Sequence, residues 1–169
     1  MRFFKTSVLF CLFLSLSFCK TATMVSQEKT LLKVDSLTNG FKKLHFFKNK
    51  KLEVVNTKGS LSYTMVTSDS TNVMQYEYAI NQDQAAYDGG YREEILFEIP
   101  AGTLEQTYTN KELQNTKMLF GRYCFCRGKT GLYKVNEGKL HVKASKKETH
   151  FELQFKINEV PQVTTEIRY

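Results

Sequence analysis

The chain has 169 residues, 41% of them apolar and 24% charged, which suits one ordinary domain and excludes both a disordered polymer and a large multidomain machine. Thirteen Phe and nine Tyr against two Pro favour strands over helices. The net charge of +7 is carried by basic and acidic residues interspersed along the chain, which argues against a dedicated nucleic-acid binder.

Residues 1–19 are a different material from the rest. Arg2 and Lys5 precede an uncharged apolar stretch from Val8 to Phe18, broken only by two serines. That stretch is short for a bilayer span, and a positive start before a short apolar core is the pattern of a cleavable export signal. Two readings of its end remain open. Leu16-Ser17-Phe18-Cys19 resembles a lipobox, apart from Phe18 where a small residue is usual. Cys19 would then carry lipid and anchor the protein to a membrane leaflet. Alternatively, Ser17 and Cys19 are the small residues before a conventional cleavage point, and the protein is released. Removal of residues 1–19 leaves 22 basic against 17 acidic residues. No Asn-x-Ser/Thr sequon occurs, which favours a bacterial periplasm, outer membrane or extracellular setting over a glycosylated eukaryotic one.

Residues 20–30 are polar and aperiodic and read as a tether, leaving residues 31–169 as one β-rich domain. From Phe41 to Lys51, five lysines mingle with three phenylalanines and His45. Lys48, Lys50 and Lys51 are therefore candidate contacts for an anionic partner. The competing reading is a strand with buried rings that ends in a solvated lysine turn. Leu61, Tyr63 and Met65 alternate with polar residues, Ser68 to Thr71 is a turn, and Met74, Tyr76, Tyr78 and Ile80 alternate in what should be the opposing strand.

The segment from Asn81 to Gly90 is a polar loop. Tyr87 and Tyr91, which flank its end, are candidate ligand contacts, whereas Tyr76 and Tyr78 suit a core. The spacing of Asp83 and Asp88 fits no calcium loop. Glu93 and Glu94 are adjacent in a strand, so they face opposite ways and cannot act as a catalytic pair. Ile95, Phe97 and Ile99 alternate until Pro100-Ala101-Gly102 stops the ladder. Asn110 to Asn115 is the best site for a short helical turn.

From Lys117 to Ile157 the pattern predicts four strands joined by tight turns. A Glu137-Gly138 turn sets Val135 opposite Leu140 and Tyr133 opposite Val142. A turn from Lys146 to Thr149 sets Ala144, Val142 and Leu140 opposite Phe151, Leu153 and Phe155, with Lys143 facing Glu152. In the first of these strands Cys124 and Cys126 point to one face. They are candidates for a disulfide, and two packed thiols or a metal site completed by His141 are the alternatives. His45, His141 and His150 form no group and read as exposed strand histidines. Val163, Thr165, Ile167 and Tyr169 form a last alternating run.

Some ten short strands predict an antiparallel β-sandwich, with a closed up-and-down barrel as the alternative. Neither a catalytic motif, a metal site nor a cofactor loop is legible. The expected function is an exported binding or structural module for a protein or glycan, with no cofactor and no nucleic acid, touching membrane only through lipid at Cys19. The absence of Trp weighs against glycan. The alternatives are a secreted hydrolase whose site forms only in three dimensions, or a small-lipid carrier.

Overall fold

The computed structural model describes residues 29–80, 90–102, 104–145 and 147–169. Residues 1–28, on which the expected export signal, Cys19 and most of the expected tether fall, and residues 81–89, which include Tyr87, lie outside the described residues.

Among the described residues the chain forms strands β1 (Lys29–Leu37), β2 (Gly40–Phe47), β3 (Lys50–Thr57), β4 (Ser60–Thr67), β5 (Thr71–Ile80), β6 (Tyr91–Pro100), β7 (Leu104–Thr109), β8 (Leu119–Tyr123), β9 (Gly131–Lys134), β10 (Glu137–Ala144), β11 (Thr149–Lys156) and β12 (Glu166–Arg168). One 3-10 helix, Asn110–Thr116, follows β7 where a helical turn was expected. Its start is fixed by Glu112, whose carboxylate accepts from the backbone N–H and the hydroxyl of Thr109.

The strands pair antiparallel into a six-stranded sheet, β1-β2-β5-β6-β8-β9, a four-stranded sheet, β12-β11-β10-β7, and a separate β3–β4 hairpin. The two larger sheets pack face to face as a sandwich that does not close into a barrel. Period-two burial makes this possible. Along β11, Phe151, Leu153 and Phe155 are buried and the residues between them are exposed. From the other sheet, Phe97 meets Phe151 edge-on at 5.2 Å between ring centroids, and Phe120 meets Phe155 at 5.9 Å. Truncating any one of these rings to Ala costs about 3–5 kcal/mol.

The hairpin adds a third layer on the far face of the large sheet. Leu52 on β3 packs with Val73 on β5 and Leu96 on β6, flanked by Phe47, Tyr63 and Met65. As a result every residue of β6 from Glu93 to Ile99 is buried, although only alternate positions face the sandwich core. The acidic residues of the far face are satisfied. Lys117 Nζ donates to Glu98 at 2.8 Å and to the Leu52 carbonyl at 2.7 Å, and the Leu52 N–H also donates to Glu98.

Several expected pairings are corrected. Strand β4 does not pair with β5; a turn at Lys58-Gly59, both at positive φ, folds it onto β3. Strand β9 pairs with β8 in the large sheet, so Tyr133 and Val135 are not cross-strand partners of Val142 and Leu140; they meet β10 only across the sandwich core. Gly138 is no turn residue. It lies in β10 opposite Phe155, where a Cβ would sit 2.2 Å from the Gln154 carbonyl oxygen. The β10–β11 register is displaced by two residues from expectation, with Ala144, Val142 and Leu140 opposite Thr149, Phe151 and Leu153. A two-residue displacement keeps every side chain on its expected face. Its cause is an earlier turn, in which Ser145 Oγ accepts the Lys147 and Glu148 N–H groups and the Ser145 N–H donates to the Glu148 carbonyl. Lys143 accordingly opposes His150 and forms its ion pair with Glu105 on β7 at 3.3 Å, not with Glu152. The last strand is also shorter than expected, beginning only at Glu166, and strand β1 starts at Lys29, inside the stretch read as tether.

Candidate partner-binding tip

The Cys124-Phe125-Cys126 segment is not strand. It leaves β8 at Tyr123 and bends, and the chain returns at Gly131 to begin β9. The bend brings the two Cα atoms to 5.2 Å, well inside bridging range, and the sulfurs are joined as a disulfide. A second turn closes behind it: the Lys129 N–H donates to the Cys126 carbonyl at 3.0 Å, with Gly128 at φ 70°. Arg122 Nη1 donates to the Lys129 carbonyl at 3.1 Å, and the Thr130 hydroxyl donates to the Arg122 carbonyl at 3.0 Å. The tip is thus short, doubly closed and tied to the end of β8.

Its base is rigid as well. Gly121 lacks a side chain, and the Tyr123 ring folds into that space, where a Cβ would meet it at 2.8 Å. The Arg92 guanidinium lies over the Tyr123 ring at 4.0 Å and donates to Glu94 at 2.9 Å. The same carboxylate accepts the Tyr63 hydroxyl of the hairpin layer. Burial and the Glu94 charge push the Tyr123 hydroxyl up to about 12, and burial with the Glu94 hydrogen bond drives that of Tyr63 above the ordinary phenol range. Both hydroxyls remain neutral at physiological pH, and that of Tyr63 is the donor to Glu94.

On the core face of the same strand ends, Tyr91 donates to Glu93 at 2.6 Å, and burial pushes its hydroxyl up to about 12. The Arg122 guanidinium sits 5.2 Å from the Tyr91 ring, and its buried Nε has no hydrogen-bond partner. Tyr91 is therefore fixed in a structural cluster.

What the tip offers to solvent is Phe125, 85% exposed, beside exposed Arg127 and Lys129. The disulfide closes a three-residue loop and restricts its backbone, so less freedom is left for binding to remove. The tip's chemistry is apolar contact in the centre with cationic contact at the rim. The two sulfurs, bonded to each other, supply no thiolate.

The other sequence candidates are distributed differently. Lys48, with Phe46, Asn49 and Asn72, lines an open groove of about 450 Å³ near Ser145 at the end of β2. That is the Pro100 end of β6, whereas Tyr91 begins the strand, so a full strand of about 30 Å separates Lys48 from Tyr91 and the two cannot share a small ligand. Lys50 and Lys51 begin β3, and Lys51 pairs with Glu53 at 3.9 Å. The metal arrangement considered for the cysteines is not assembled. Lys134 lies opposite Leu119 rather than Cys124, and His141 belongs to the four-stranded sheet, where Nδ1 is 3.0 Å from the Thr107 hydroxyl. No group of His, Cys, Asp or Glu among the described residues has a metal-holding arrangement. His45 is also not exposed: it is buried in β2, near Phe47. Glu93 and Glu94 take opposite faces of β6, each engaged as described.

Sequence reasoning singled out the cysteines and overlooked the residue between them. The signal was present in Cys-Phe-Cys-Arg-Gly-Lys, where an aromatic between bridged cysteines is followed by a basic glycine turn.

A protein-family model described as Bovine Lentivirus VIF protein matches residues 40–154, from β2 into β11 and including the tip. Neither a curated protein nor a solved structure matches the chain.

Proposed function

The chain belongs to the family described as Bovine Lentivirus VIF protein, and from that premise we propose that it is a non-enzymatic binding module that docks a protein partner through the Phe125 tip. The observation that carries this reading is a large apolar side chain, 85% exposed, on a loop closed by a disulfide and rooted in a rigid strand end. Exposed rings of this kind serve as anchors when they enter a pocket on a partner, and Arg127 and Lys129 suit a pocket with an acidic rim. A protein fits better than a glycan, since Phe125 has no polar atom with which to read hydroxyl groups. A space between the sheets occupied by Phe97, Phe120 and Phe151 supports binding at the surface over carriage of a lipid inside. Export of the module is supported by the positive start and short apolar core of residues 1–19 alone; the family's description lends nothing to a bacterial envelope.

The test is photocrosslinking with a photoreactive phenylalanine analogue at position 125 of the full chain. The expected result is one dominant protein adduct, competed away by the unlabelled chain and not by unlabelled Phe125→Ser. Equal competition by Phe125→Ser would remove the tip from the binding surface. Turnover of a hydrolase substrate, abolished by one polar substitution, would overturn the non-enzymatic reading.

A further inference from the structure

Among the described residues, strand β1 is the end strand of the six-stranded sheet, on the edge opposite β9. Eight of its nine residues are exposed, among them Leu31, Val34 and Leu37 at 49%, 47% and 37%. A long edge with exposed apolar residues is a template for a further strand. A bulge between Leu31 and Lys33 interrupts its first half, whereas from Lys33 to Leu37 the ladder with β2 is regular.

We propose that this regular half pairs antiparallel with the same segment of a second copy, about a two-fold axis through Val34. The charges select that register. Directly opposed residues share a face in an antiparallel pair. A two-fold centred on Lys33 therefore opposes lysine to lysine, and one centred on Asp35 opposes aspartate to aspartate. Centred on Val34, the axis sets Val34 against Val34 and matches each Lys33 with the Asp35 of the other copy, so both opposite-charge contacts form at once. Lys33 and Asp35 already lie on one face, ion-paired at 3.3 Å within a single copy, and both are half-exposed, so each can exchange that contact for its counterpart across the axis. The two sheets then run on as one across the axis. The Phe125 tips, at the end of the β8–β9 hairpin on the far side of each sheet, stay free, so the dimer is bivalent for whatever the tip binds. This pairing does not depend on what the tip recognises.

The test is sedimentation equilibrium of the full chain over a range of concentration. The unaltered protein should be a reversible dimer. Lys33→Asp alone, or Asp35→Lys alone, sets like charges opposite each other twice and should weaken the dimer about tenfold or more. The combined exchange, Lys33→Asp with Asp35→Lys, restores opposite pairs and should restore the dimer. All three variants alter exposed side chains, and their circular dichroism should match the parent. A protein that stays monomeric at its highest soluble concentration overturns the proposal. So do single variants that dimerise as the parent does, and a combined variant that fails to recover.

Discussion

The carboxylate of Glu93 on β6 accepts the backbone N–H of Thr164 at 2.7 Å, joining the large sheet to the segment that leads into β12 of the small one. The neighbouring Val163 N–H and the Tyr91 hydroxyl complete the shell of a side chain with no solvent exposure. A buried charge is tolerable only when it is satisfied in this way, and removing it leaves three donors without an acceptor. Glu93→Ala should lower stability by about 3 kcal/mol in urea unfolding, and Glu93→Gln by less, since it keeps the volume and one acceptor oxygen. The loss should appear first as faster amide exchange at Val163 and Thr164.

This inter-sheet tie was only half legible. The alternation of Ile95, Phe97 and Ile99 assigns β6 and its core face, and the opposite orientations of Glu93 and Glu94 follow from the same period. Nothing local discloses what an acidic residue on a core face will bind, because Thr164 lies 71 positions away. The same contrast recurs elsewhere. Strand periodicity placed Leu140, Val142, Phe151 and Leu153 inside, but the turn at Ser145 decided which of them meet. Gly138 looked like a turn residue because turns and close backbone approaches demand the same glycine. The partners of β4 and β9 were misjudged because period two gives a face, not a neighbour. At the tip, the bend that exposes Phe125 depends on the disulfide and on the Cys126–Lys129 turn, neither of which alternation reveals.

The hairpin layer is secured to β6 by few polar contacts, of which the Tyr63 hydroxyl on Glu94 is central. Tyr63→Phe removes the donor and leaves Glu94 with Arg92 alone. Stability should fall by about 1–2 kcal/mol. Because the hairpin is tied to the rest chiefly by Leu52, Val73 and Leu96, the effect should be local. Hydrogen exchange should quicken across β3 and β4 and leave β10 and β11 unchanged.

Opening the disulfide should affect the tip more than the fold. A bridge between cysteines two positions apart closes a very small loop, and the chain-entropy relation assigns it only about 1.5 kcal/mol. The double variant Cys124→Ser with Cys126→Ser should therefore unfold close to the parent. The amides of Phe125, Arg127 and Gly128 should exchange faster, because their loop has lost a covalent closure. A loss of several kcal/mol would instead mean that the bridge supports the sandwich itself.

His45 gives the fold a sensitivity to acid. It is buried in β2, with Gln75 opposite on β5, and its Nδ1 has no hydrogen-bond partner. Burial, followed by the charges of Lys29 and Lys43, holds its pKa below the ordinary 6.5. The unfolded chain therefore takes up the proton more readily than the folded one. The His45 contribution is fully present above pH 6.5 and is lost as pH falls from there towards the folded-state pKa, no more steeply than about 1.4 kcal/mol per pH unit for one proton. His45→Leu removes the titrating group from a site already closed to water. Urea midpoints of parent and variant compared from pH 7.5 to pH 5 should show the parent losing ground to the variant only on the acid side. Parallel curves across that range would mean that His45 protonates as easily inside the fold as outside it.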